Sequence, residues 1–244
     1  MVIIFKLASA EHNTSNPGAP HVKTPSHPFV AGTPSCAGTS SNIASAREYF
    51  EMYRDVVPLI PYSVVDEIIE ELLHRYEQGK AVFLFGNGGS AALASHIACD
   101  LGKGTLFNGN PRTRFRVLAL TDNVPLMTAW ANDSSYERIF AEQLQNLVSP
   151  GDVAFAISGS GNSPNVLAGL QVSRAAGAVT VGLTGFQGGK MKTLCDYCVV
   201  VPSNNMQIIE DFHLSVAHAM FSVIRTRISE AEHSGVLARA SSSH

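Results

Sequence analysis

FLFGNGGSAALASHIACD, residues 83–100, decides how the rest of the chain is read. With Ala81 and Val82 its opening forms an unbroken apolar run, AVFLF (81–85). A loop of Gly86, Asn87, Gly88, Gly89 and Ser90 follows, then a helix-like segment carrying His96 and Asp100 four apart. Apolar runs of this length without alternation are the pattern of a strand buried on both faces. The glycines let backbone approach a ligand closely, and the helix behind them offers unpaired N–H groups and a positive dipole end to an anion.

Working outward, the same grammar repeats. Short apolar runs recur as RVLAL (116–120), DVAFAI (152–157), VTVGL (179–183) and YCVVV (197–201), each followed by Gly, Ser, Thr, Asn or Asp and then a helical pattern. Strand-helix alternation implies right-handed crossovers and a parallel sheet. The segment 43–79 is helical in period, broken near Ile60-Pro61, with Val64, Val65, Ile68, Ile69, Leu72 and Leu73 on one face and Gly79 as a stop. The expectation is one α/β domain over 43–231, a doubly wound five-stranded parallel sheet between helical layers with further helices at each end. Residues 1–42 and 232–244, rich in small and polar residues, read as disordered tails.

A second loop has chemistry like the first. SGSGNS, Ser158 to Ser163, follows the third run and can surround a phosphate with the hydroxyls of Ser158, Ser160 and Ser163 and with backbone N–H groups. Two Gly/Ser loops at the ends of two buried strands would converge on one cleft. Gly86-x-Gly88-x-x-Ala91 also matches the dinucleotide fingerprint. That scheme expects an acidic residue about 20 positions on, where Asp122 comes late, and it leaves SGSGNS without a role.

Composition narrows the partners. In 244 residues of formal charge -3, no run of Lys or Arg forms the footprint that nucleic acid or an anionic membrane requires, so a small ligand fits better. Apolar runs fall short of the roughly 20 residues of a membrane span. MVIIFKLASA lacks the charged n-region of a secretory signal. Cys36, Cys99, Cys195 and Cys198 are too scattered for a disulfide framework, which makes a reducing cytoplasm the expectation. Cys195-x-x-Cys198 has no second pair to complete a zinc site and reads as buried small hydrophobes.

From about Arg47 to Arg225 the chain resembles the sugar isomerase (SIS) domain family, and within it the bacterial phosphoheptose isomerases. The resemblance is carried by GNGGSAALASHIA, LMTAWANDSSYERIFAEQL, PGDVAFAISGSGNSPNVLAGLQVSRAAG, VGLTGFQGGKM and EDFHLSVAHAM. It implies a homotetramer with active sites at subunit interfaces. Substrate contacts would come from Asn87, Gly88, Ser90, Ser158, Ser160 and Ser163. The family's catalytic and, in some members, zinc-binding groups fall on His96, Asp100, Glu210 and His218, with Asp100 and His218 as the proton-transfer pair and Glu210 also touching substrate.

Three positions depart from the family pattern. Asp100 stands for the usual glutamate base, Glu210 for a glutamine, and Thr121-Asp122-Asn123 for Thr-Thr-Asp, so the sugar-binding aspartate is displaced to Asp122 or replaced by Asn123. Glu210 and His218 are eight apart, a rise of about 12 Å on a straight helix, so a relaxed helix start or a neighbouring subunit is needed to bring them together. Asp211 lies closer to the face of His218, and His213 reads as structural. The expected activity is aldose-ketose isomerisation of sedoheptulose 7-phosphate to D-glycero-D-manno-heptose 7-phosphate, with zinc or by proton transfer without metal. The alternative is a SIS-domain sugar-phosphate-binding or regulatory protein without turnover.

Overall fold

The computed structural model describes residues 43–106 and 114–241, with side chains up to residue 231. The expected N-terminal tail, with Cys36, His12, His21 and His27, lies outside the described residues. All five apolar runs are strands: β1 (Ala81–Gly86), β2 (Arg116–Ala119), β3 (Val153–Ile157), β4 (Val179–Gly185) and β5 (Tyr197–Val201). Every neighbouring pair is parallel, in the order β2-β1-β3-β4-β5.

The absence of alternation in these runs has a direct cause. Val82, Leu84, Val153, Phe155 and Ile157 enter one core layer, while Ala81, Phe83, Phe85, Ala154 and Ala156 enter the other. Successive strand residues point to opposite faces, and here both faces are covered. The first layer is closed by α2 (Tyr62–Glu77), α3 (Gly89–Cys99) and α8 (Met206–Ser241). The second is closed by α5 (Ala141–Leu147) and α6 (Pro164–Ala175), with α4 (Val124–Asp133) and α7 (Met191–Leu194) beside them. Phe85, Phe140 and Phe155 are fully buried; truncating such a ring to alanine costs about 3–5 kcal/mol.

The helical segment before the sheet divides as its prolines dictate. α1 (Ala46–Val56) begins at Ser45, whose hydroxyl accepts from Glu48 N–H at 3.3 Å. A 3₁₀ turn, Val57–Leu59, carries Pro58, and α2 follows Pro61. α1 buries no residue completely and is fastened to α8 instead. Tyr49 Oη donates to Asp211 at 2.5 Å, Tyr53 Oη and Ser215 Oγ lie 2.7 Å apart, and the Tyr53 ring stacks on Phe212 at 4.2 Å.

Two expectations about the C-terminal part are revised or refined. α8 continues through Ser241, past the expected boundary at 231, because AEHSGVLARA is rich in the helix formers Ala, Glu, Leu and Arg. Cys195 and Cys198 are free and partly buried, both lying close to the space where a Gly182 side chain would sit.

Candidate active site

In the order β2-β1-β3-β4-β5, the chain leaves β1 toward one edge and β3 toward the other, so strand order reverses between these two adjacent strands. Ligands of doubly wound sheets lie in the crevice beyond the carboxyl ends of the strands at that point. The loops that flank it here are 86–90 and 158–163, the two Gly/Ser loops.

The first loop turns sharply into α3. Gly88 has φ 55° and ψ -122°, a conformation open to glycine alone in practice. The amides of Ser90 and Ala91 bond back to the Asn87 carbonyl, and Ser90 is buried. The Asn87 side chain is turned inward. Its Nδ2 donates to Asn165 Oδ1 at 2.9 Å, while its Oδ1 accepts from Asn165 Nδ2 at 2.8 Å and from Tyr136 Oη at 2.9 Å.

The second loop rests on a third that local sequence did not single out. Ser158 and Ser163 hydroxyls lie 3.1 Å apart, and Ser160 Oγ accepts from Asn162 N–H at 3.2 Å. Behind them, Gly185 N–H donates to the Gly159 carbonyl and Met191 N–H to the Gly161 carbonyl. Gly161 has φ 64°, and a Cβ there would overlap the Gly188 carbonyl oxygen. Between these contacts Phe186 adopts a left-handed φ of 52°, a strained conformation for a bulky residue and one met at functional sites.

At the other end of α3 the imidazoles and the carboxylate converge. His96 Nε2 lies 2.9 Å from His218 Nε2 and 3.3 Å from Asp100 Oδ2, and His218 Nε2 lies 3.9 Å from the same oxygen. With one Nε2 proton between the rings, one histidine is the Nε2–H tautomer and the other accepts. Both rings are about half exposed and Asp100 is one quarter exposed. Ligand atoms of the three residues all lie within 4.8 Å of one another. Two imidazole nitrogens and a carboxylate oxygen fit zinc and leave an open coordination position.

Glu210 does not join them within the chain. Its carboxylate lies beside Gly89, at the start of α3. The reason is geometric: residues 210–218 belong to one α-helix, so the expected relaxed start does not occur and the rise of about 12 Å is retained. Asp211 is engaged by the Tyr49 hydroxyl, which burial and that hydrogen bond push up to a pKa of about 12. His213 is 1% exposed, and among the described residues neither ring nitrogen has a hydrogen-bond partner of good geometry, the Thr184 backbone being the nearest influence. Burial pushes its pKa down to about 4, with a smaller opposing effect from the Thr184 backbone. Gly89, Ser90, His96, Glu210 and His213 contribute to the wall of a cavity of about 280 Å³ between α3 and α8.

The sugar-binding candidates after β2 are also occupied locally. Asn123 caps α4, its Oδ1 accepting from Leu126 N–H at 3.1 Å. Asp122 accepts a hydrogen bond from Ser95 on α3. Asn165, Tyr136 and the loop 185–191 were missed by sequence reasoning. Only the quoted segments SGNSPN, SSYER and GFQGGKM, in which they stand, marked them.

A doubly wound sheet with two Gly/Ser loops at its switch point, and an imidazole-carboxylate cluster along the helix between, defines an α/β domain with an anion-binding crevice beside a group of candidate proton-transfer or metal-binding side chains. The model of the SIS domain matches residues 62–185. The phosphoheptose isomerase of Trichlorobacter lovleyi is 38% identical over 167 residues, covering 66% of this chain and 80% of that protein. That of Paramagnetospirillum magneticum is 42% identical over 153 residues, covering 63% and 78%. The solved phosphoheptose isomerase of Neisseria gonorrhoeae superposes with a TM-score of 0.68 at 27% identity, covering 74% of this chain and 96% of that one. The chain belongs to the SIS domain family and, within it, groups with the phosphoheptose isomerases.

Proposed function

We propose that the chain is an aldose-ketose isomerase converting sedoheptulose 7-phosphate to D-glycero-D-manno-heptose 7-phosphate. The observation that carries this reading is the arrangement along α3. Its N-terminal loop offers neutral donors to a phosphate, and His96 and Asp100, joined by His218, lie six and ten residues beyond Ser90, rises of about 9 and 15 Å. That separation suits a substrate with its phosphate at one end and its carbonyl at the other.

Isomerisation requires a proton to leave the carbon beside the carbonyl and another to reach the neighbouring carbon, with the oxygens exchanging a proton in step. In this reading the Asp100 carboxylate moves the carbon-bound proton and His218 serves the oxygens. His96 orients both, being within 3.3 Å of each. Ser90, Ser158, Ser160 and Ser163, with the amides of Gly88 and its neighbours, fix the phosphate and so set which carbon faces Asp100. His96, Asp100 and His218 would hold zinc, which supplies Lewis acidity toward the carbonyl when bound. Glu210, beside Gly89, is a candidate sugar contact rather than a fourth ligand from the same chain.

The reading carries with it a cytoplasmic homotetramer. Support for assembly comes from Phe50, Leu59 and Leu118, 68%, 52% and 46% exposed in the single chain, and from the half-open cluster. No helix among the described residues is long and apolar enough to cross a membrane. The test is incubation of the purified protein with sedoheptulose 7-phosphate in deuterated water, with and without zinc. Formation of the aldose with deuterium at the carbon beside the carbonyl is expected; neither signal under either condition would refute the proposal.

One observation favours binding without turnover: the carboxylate of Glu210 stands apart from the cluster at a position where the family has an amide. If Asp100→Asn and His218→Ala leave every measurable function unchanged, that second reading is correct.

A further inference from the structure

Asn87 was expected to touch substrate, and most of the hydrogen-bonding capacity of its side chain is used within the protein. Both lone pairs of its Oδ1 are taken, by Asn165 Nδ2 at 2.8 Å and Tyr136 Oη at 2.9 Å, and one Nδ2 proton goes to Asn165 Oδ1 at 2.9 Å. Resting on the reading of both loops as a phosphate cradle, we infer that Asn165 and Tyr136 are positioning residues: through Asn87 they hold the two phosphate loops at one spacing.

The orientation of this network is determined, not arbitrary. Asn165 Oδ1 accepts from Val166 N–H at 2.9 Å, so a flipped Asn165 would set its NH₂ against that N–H. With Asn165 fixed, Asn87 must present its carbonyl to Asn165 Nδ2, and the Tyr136 hydroxyl must donate. Asn165 is not the N-cap residue of α6: that position is Ser163, whose side chain makes no capping hydrogen bond, and Asn165 lies inside the first turn. The amide pair is buried at Asn165, which is 2% exposed, and is closed on the outside by a phenol that is 57% exposed.

What the pair joins is specific to the site. Asn87 opens the loop after β1, and Asn165 stands two residues beyond Ser163, at the end of the loop after β3. Tyr136 belongs to the 3₁₀ turn Tyr136–Arg138 between α4 and α5. A cradle made of two independent loops loses affinity whenever one drifts; a reciprocal amide pair, whose two bonds form and break together, suppresses that motion. The network touches neither His96, Asp100 nor His218, so it acts on phosphate affinity and leaves the proton-transfer groups alone.

The test is calorimetric titration of inorganic phosphate into the wild type, Asn165→Ala and Tyr136→Phe, beside steady-state isomerase kinetics. Loss of the amide pair is expected to weaken phosphate about tenfold, and loss of the phenol hydroxyl about two- to threefold. KM for the sugar phosphate should rise by the same factors with kcat within about twofold, the signature of lost uniform binding. Tyr136→Phe changes an exposed ring by one atom, so it keeps the test intact should Asn165→Ala fold poorly. Variants that lose only thermal stability while phosphate Kd and KM stay at wild-type values overturn the inference, as does a fall in kcat with KM unchanged. A wild type that binds no phosphate removes the cradle itself, and the inference with it.

Discussion

Replacing His213 by phenylalanine should make the stability of the protein less sensitive to acid. In the folded chain the imidazole is buried and its pKa is held down to about 4, against about 6.5 in an unfolded chain. Between those values the unfolded state binds a proton that the folded state refuses, so stability rises with pH and falls as pH drops. Integrating over that window, the neutral buried ring costs about 2 kcal/mol of stability on going from pH 7 to pH 5, and about 3 kcal/mol by pH 4. Other titrating groups are common to both proteins and cancel in the difference. The assay is urea unfolding of wild type and His213→Phe at pH 7, 6 and 5, at one fixed protein concentration because subunit assembly would shift the apparent stability. The wild type should lose about 2 kcal/mol relative to the variant across that range. A difference between the two proteins that stays constant with pH, to about 0.5 kcal/mol, would refute the assignment of His213 as a neutral group without a partner.

Asp100→Asn should lower kcat by about 10²- to 10⁴-fold with KM changed little, whereas Asp100→Glu, which restores the carboxylate length the family uses, should retain activity; deuterium exchange from substrate measures both. Metal analysis after purification in zinc should find the ion retained by the wild type and lost from His96→Ala and from His218→Ala, while a chelator removes it from the wild type. Zinc retained in both alanine variants would exclude the cluster as its site. Gly161→Ala forces a Cβ onto the Gly188 carbonyl from a left-handed backbone and should destabilise by about 1–2 kcal/mol from conformation alone, more with the overlap, read from thermal unfolding.

The sheet could be read from sequence because both of its faces are buried. A strand covered on one side alternates and competes with helix periodicity, but AVFLF and DVAFAI are apolar throughout for the reason found in the two core layers. The loops were legible because their glycines and serines are consecutive. What escaped notice was pairing across long sequence separation. Asn87 meets Asn165 78 residues away, and nothing local to either says that their amides face each other. Asn123 is the opposite case. Its partner is only three residues on, and an N-cap in front of Val124-Pro125 is a signal that the local sequence carries. Glu210 and His218 lie on one continuous helix, α8, so the helical rise read from their spacing separates them within a single chain, as the sequence-based argument required.

The shortened carboxylate at Asp100 raises the sharpest doubt in the sequence, and the backbone there answers part of it. α3 ends at Cys99, and the turn Asp100–Gly104 is π-helical. Such a widened turn is uncommon, displaces the residues that follow, and recurs at functional sites. From its first position the Asp100 carboxylate still lies within 3.3 Å and 3.9 Å of the two imidazoles, so the missing methylene does not leave it out of reach of either. Misplacement of about 1 Å can cost on the order of 10²-fold in rate, which makes this turn as consequential as the side chain it presents. Gly102 lies close to Val117 of β2, and in Gly104 a Cβ would run into the Phe221 ring of α8. The turn is thus clamped between the edge strand and the helix that carries His218. An Asp100→Glu variant therefore tests more than chain length. The retained activity expected of it requires a turn that tolerates either side-chain length. A fall in activity would refute that expectation and show that the clamped π turn is set for aspartate.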